Sequence, residues 1–170
     1  MLIRSLAVAA AILMPLAAHA QAPTDPQIAH IAYTAGQIDI AAAKMAEKKS
    51  TNADVKAFAA EMERDHTAVN DKALALVKKL GVTPEDNPTS QSLNATATAK
   101  AKELEGLSGA AFDKAYIDNE VAYHKTVNGA LEKTLIPSAH NAELKSLLET
   151  GLKLFQSHQE HAEHLAATVH

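Results

Sequence analysis

At 170 residues, 47% hydrophobic and 21% charged, the chain has the length and make-up of one globular domain rather than a disordered tail. With 16 Lys and Arg against 20 Asp and Glu it lacks the cationic stripe that a nucleic-acid binder needs. The absence of cysteine excludes disulfides and a lipid-carrying thiol.

The opening MLIRSLAVAAAILMPLAAHAQ has one basic residue, Arg4, then an apolar run from about Leu6 to Leu16, then Ala18-His19-Ala20. This is the order of a signal peptide and its cleavage site. The apolar run is broken by Pro15 and is too short for the roughly 20 residues of a membrane-spanning helix. The expectation is therefore a signal peptide over 1–20 and a single domain over 21–170, periplasmic or secreted, without a membrane anchor. Loss of Arg4 leaves 15 Lys and Arg against 20 acidic residues, a net charge of -5, with Arg64 as the remaining arginine.

Between Asp25 and Lys49 the residues Ile28, Ile31, Ala35, Ile38, Ala42 and Met45 recur in steps of three and four, predicting a long amphipathic helix. Ser50-Thr51-Asn52 offers N-caps, and a second stripe of Val55, Phe58, Met62, Val69, Ala73, Leu76 and Leu80 ends at Gly81. So short a connection makes the pair antiparallel. GVTPEDNPTSQS, from 81 to 92, is turn chemistry, and the polar, Ala-rich stretch Leu93 to Leu107 predicts a short helix within a crossover. Ser108 can cap a third long helix, with Phe112, Tyr116, Tyr123, Val127 and Leu131 inward and Pro137 as its stop. A fourth, from about 138 to 167, has the stripe Leu144, Leu147, Leu148, Gly151, Leu154, Phe155 and Leu165. No alternation of period two occurs, so strands are not expected. The fold class is all-α: a four-helix bundle of two antiparallel hairpins joined by a crossover.

Polar residues interrupt these stripes. On a wheel of about 100° per residue, His158 of HQEHAEH replaces a core residue, His161 lies at the border, and Glu160 and His164 face water. In EMERDHTAV, Asp65 and His66 flank the stripe centre, while Glu61 and Glu63 read as a solvated face. In YIDNEVAYH, Glu120 lies near the centre and is the stronger inward candidate, with His124 about 70° from it. Asp39 in GQIDI flanks the first stripe. Counted from the turns near Thr51 and Ser138, these positions share one level of the bundle. Buried carboxylates without a cation cost several kcal/mol each, so four helices that turn Asp, Glu and His inward together point to a metal. Nitrogen and oxygen ligands without sulfur suit a divalent ion, zinc first, with iron, copper or nickel as alternatives. His30, His140, His164 and His170 read as solvated, and Tyr116 and Tyr123 as core.

VKAFAAEMERDHTAVN, LSGAAFDKAYIDNEVAYHKTV and LKLFQSHQEHAEHL also resemble a bacterial exported family, domain of unknown function 4142, from about residue 25 to 167. Asp65-His66, Phe112-Asp113 with Tyr116, His124 and His158 carry the likeness, whereas Asp39 stands where the family usually has glutamate. The resemblance implies a ferritin-like four-helix fold and no known activity. Ferritin-like di-metal proteins use a Glu from two helices and Glu-x-x-His from two others. Here Glu63 and His66 have that spacing but Glu63 points sideways, and Glu120 and His124 are four apart. The expected function is therefore non-enzymatic metal handling or envelope stress, with one ion on His66, His158, Glu120 and Asp65 and with His124, His161 and Asp39 as further candidates. A di-metal oxidase or peroxide-consuming enzyme, and a structural module with a buried Asp/His/Glu network, are the alternatives.

Overall fold

Ser50-Thr51-Asn52 ends one helix and starts the next, as the sequence implies. In the computed structural model, which describes residues 22–169, α1 spans Asp25–Lys49 and α2 spans Ala53–Leu80. The Asn52 side chain accepts from the amides of Asp54 (2.9 Å) and Val55 (3.3 Å), and α2 ends at Gly81 in the left-handed conformation, φ 65°. The expected signal peptide and His170 lie outside the described residues.

The crossover differs from expectation. Helix α3 runs over Pro88–Glu105, 18 residues, starting five residues before the predicted short helix. Pro88 is not a breaker here but the first residue of the helix, where its missing N–H is harmless, and Asn87 caps it by accepting from Thr89 and Ser90, both at 3.1 Å. The α3 C-terminus is tied to α1 by Lys49, whose ammonium donates to the carbonyls of Leu104 (3.1 Å) and Glu105 (2.6 Å).

Helix α4 spans Gly109–Ala130 and passes directly into a π-helical turn, Leu131–Leu135, and a short turn α5, Ile136–Ser138. The continuous helical run from Gly109 ends at Ser138, one residue past Pro137, so the proline stops it where the sequence implies. Helix α6, Ala142–Ala166, starts after Asn141, whose side chain accepts from Glu143 and Leu144, each at 3.0 Å. Asp25 at the start of α1 holds that loop, accepting from the amides of His140 and Asn141, each at 2.9 Å.

The long helices α1, α2, α4 and α6 pair mainly as α1 on α2 and α4 on α6, with α2 against α6 and α1 against α4 completing the bundle, and α3 lies along α1. No strand occurs among the described residues, and no helix among them is long and apolar enough to cross a membrane. Because α3 covers it, α1 buries two faces. Asp39, Ala43 and Ala46 point into the bundle, whereas Ile38, Ala42 and Met45, expected there, are only partly buried. Ile38, Ala42 and Met45 instead line the cleft between α1 and α3.

The apolar core comes in two parts. One gathers Phe58, Met62, Phe112, Tyr116, Ile117 and Leu165 around the α1–α2 turn. The other gathers Ile28, Ile31, Leu131, Leu135, Leu144 and Leu148 at the opposite end. Between the two parts every long helix buries polar residues: Asp39, His66, Glu120 with His124, and His158.

Candidate metal centre

Each of these five side chains lies on a helix that continues in apolar residues above and below it, so helical register and not a loop sets its position. Asp39, Glu120, His124 and His158 are 1% exposed and His66 3%. The three imidazoles form a triangle, with ring centroids 5.7 Å (His66–His124), 5.4 Å (His66–His158) and 5.6 Å (His124–His158) apart. Phe155 stacks on His66 at 4.6 Å and 5°, fixing that ring. One nitrogen from each histidine lies within 4.8 Å of the others.

Carboxylates border the triangle. Asp39 Oδ2 is 3.4 Å from His66 Nε2 and 3.6 Å from His124 Nε2. Ligand atoms of a tetrahedral zinc site, about 2.0–2.1 Å from the ion, stand roughly 3.3 Å apart, so these separations match its edges. Asp39, Glu120 and His124 also form a set within 4.8 Å, which shares His124 with the triangle. Glu120 Oε2 is 3.6 Å from His124 Nδ1.

The hydrogen bonds select which nitrogens are available. His124 Nδ1 lies 3.0 Å from the Glu120 carbonyl, so it donates there and leaves Nε2 as a lone pair facing Asp39. His158 Nε2 lies 3.1 Å from Asp65 Oδ2, so it donates to that carboxylate and leaves Nδ1 as the lone pair. Seven buried atoms of this layer have no hydrogen-bond partner among the described residues: both Asp39 oxygens, both His66 ring nitrogens, Glu120 Oε2, His124 Nε2 and His158 Nδ1. An unsatisfied buried polar group costs about 1–3 kcal/mol, and seven approach the whole stability of an ordinary domain.

Burial sets the charge states. It pushes the Asp39 carboxyl up to about 7. It holds Glu120 well above the usual carboxylate range, with the nearby Asp39 charge adding to the effect. Burial lowers His124 to about 4 and His66 well below its ordinary value, and His124 and His158 lower His66 further. His158 is lowered by burial, partly offset by Asp65. The imidazoles are therefore neutral near pH 7, the form that ligates a metal. An apolar cavity of about 770 Å³, lined by residues such as Ile31, Ala35, Val69, Leu131 and Leu144, reaches His66 and His124 and contributes to this low-dielectric setting.

The structure brings together five of the seven residues singled out from sequence: Asp39, His66, Glu120, His124 and His158. His124, ranked below Glu120 on the wheel, is as deeply buried as Glu120. Asp65 and His161 stand outside the triangle. Asp65, at the border of the buried face, holds His158 and takes Arg64 at 2.7 Å, which lowers its carboxyl, the Arg64 hydrogen bond leading. His161 Nδ1 bonds Glu61 Oε2 at 2.9 Å on the outer side. Glu61, read from sequence as solvated, joins Asp65 and His158 in a third set within 4.8 Å. Its position four residues before Asp65 was the signal available. The solvated readings hold for His140 and His164, which are exposed, but His30 is partly covered and bonds Ser90 Oγ at 3.0 Å.

No curated protein and no solved structure matches the chain. Residues 13–165 match the family described as Domain of unknown function (DUF4142). With nearly the whole length from 13 to 165 covered, the protein belongs to the DUF4142 family.

Proposed function

We infer that the protein is a metal-binding bundle with a ferritin-like arrangement of its two hairpins, holding one divalent cation on His66, His124 and His158 with Asp39 supplying an oxygen. The observation that carries this reading is the seven unpartnered polar atoms gathered in one buried layer. A hydrogen-bond network serving only to fix helix register would satisfy its own members, so the structural-module alternative does not account for them. Charge balance agrees: three neutral imidazoles, two buried carboxylates and one divalent ion sum to zero. The Asp39 separations of 3.4 and 3.6 Å from His66 and His124, near the edges of a tetrahedral zinc site, favour zinc, with copper, iron or nickel as alternatives. Glu120 would balance charge and orient His124 through its carbonyl, and Asp65 would orient His158.

With the export signal expected over residues 1–20, the reading extends to metal handling or envelope stress in the periplasm, without catalysis. The Asp39–Glu120–His124 set favours one second reading, a two-ion oxidase or peroxide-consuming centre. Elemental analysis separates the two, one ion per chain for the first and two for the second. Saturating zinc should raise the melting temperature of the metal-free protein, by about 2.7 kcal/mol of stability at one hundred times Kd. His66→Ala and His158→Ala should each abolish the gain. A melting temperature unmoved by zinc, copper, iron and nickel would end the proposal.

A further inference from the structure

The buried layer has two approaches. From the far end of the bundle it is reached through the apolar cavity, whose lining is mainly aliphatic. A hydrated cation there would shed water with little to replace it. From the side, between α2 and α6, the approach is built of ligands. Glu61 and Asp65 lie four apart on α2, and His158 and His161 three apart on α6, so each pair shares a helix face. His161 and Glu61 meet at 2.9 Å with side chains 43% and 32% exposed. Asp65 is 17% exposed and meets His158, 1% exposed, at 3.1 Å. Glu61, Asp65 and His158 can each place a ligand atom within 4.8 Å of the others. The second nitrogen of His158 is buried without a partner, and its ring lies 5.4 Å from His66 and 5.6 Å from His124.

We propose that Glu61, Asp65 and His161 form an outer cation station on the α2–α6 face, and that His158 passes a divalent ion from it to the buried histidines. This rests on the buried site holding metal. His158 takes the ion on Nδ1, its partnerless nitrogen, as Glu61, Asp65 and His161 release it, and keeps the Nε2 proton that it donates to Asp65, so no bond other than coordination is made or broken. Arg64 places a competing positive charge on Asp65, which keeps the station weak enough to release its ion inward.

The test is stopped-flow uptake of Co²⁺ by the metal-free protein, followed by its visible bands, alongside equilibrium titration. Glu61→Gln with His161→Gln should slow uptake roughly tenfold or more while leaving the equilibrium affinity and the single-ion stoichiometry of the buried site unchanged. In His66→Ala, which disables the buried site, a weaker Co²⁺ site should remain and should vanish when the two outer substitutions are added. A parent protein that takes up Co²⁺ at the same rate as the outer variant would overturn the relay and leave the buried site standing. A parent that binds no ion at equilibrium would overturn both.

Discussion

Asp39→Asn tests whether the buried carboxyl is held in the bundle against its preference for water. Asparagine keeps the size and shape but cannot ionise. Burial raises the Asp39 pKa from 3.8 to about 7. A carboxyl so raised binds its proton more tightly folded than unfolded. Its stabilising contribution is therefore complete below pH 3.8 and is lost as the pH climbs to about 7. At about 1.4 kcal/mol per pKa unit, the loss reaches about 4 kcal/mol in the metal-free protein at neutral pH and above. Removing the Asp39 charge also relieves Glu120, whose proton affinity it raises. In EDTA, urea denaturation should show Asp39→Asn close to the parent near pH 4 and more stable by several kcal/mol at pH 8. Zinc should then reverse the order, because the parent gains a ligand that the variant lacks. A variant less stable than the parent at pH 8 without metal, or a difference independent of pH, would refute the reasoning.

Two further substitutions probe the scaffold. A Cβ on Gly36 of α1 would collide with Asn70 Oδ1 on α2, and Asn70 is itself buried and donates to the Tyr33 carbonyl at 3.4 Å. Gly36→Ala should therefore lose about 1–2 kcal/mol by overpacking despite alanine's better helix propensity, and should weaken zinc binding by spreading α1 from α2 one turn from His66. A more stable variant in urea denaturation would show that Asn70 gives way freely. Asn52→Ala removes the α2 cap and should cost about 1 kcal/mol while leaving zinc affinity untouched, as measured by chelator competition.

The fold was legible wherever one apolar stripe met one partner. Helices α2 and α6 have single buried faces, and their stripes read directly, as did the Asn52 cap of α2, whereas α6 begins at Ala142 behind Asn141 and not near 138. The first stripe misled in its second half because α3 covers the back of α1, so Ile38, Ala42 and Met45 fill a second interface while small Ala43 and Ala46 take the bundle side. Pro88 misled because a proline marks the first turn of a helix as readily as the end of one, whereas Pro137 lies one residue before its helical run ends, as expected. At the site, the gathering of Asp39, His66, Glu120 and His158 at one depth followed from register. The separation of Asp65 and His161 from the buried set did not, because both lie at the stripe border, where a rotation of a few tens of degrees decides between core and surface. Glu61 was missed because its role depends on the partner helix and not on its own.

The division of the core also bears on how the bundle opens. A bundle with one continuous apolar interior melts as a unit, whereas here a layer of buried, largely unpartnered polar side chains separates the Phe58 end from the Ile28 end. The Ile28 end also borders the 770 Å³ cavity, which makes it the more easily breached of the two. A cation gripped by residues from every long helix would act as a rivet through that weak plane, so that amide exchange at the two ends, independent without it, would become a single shared event.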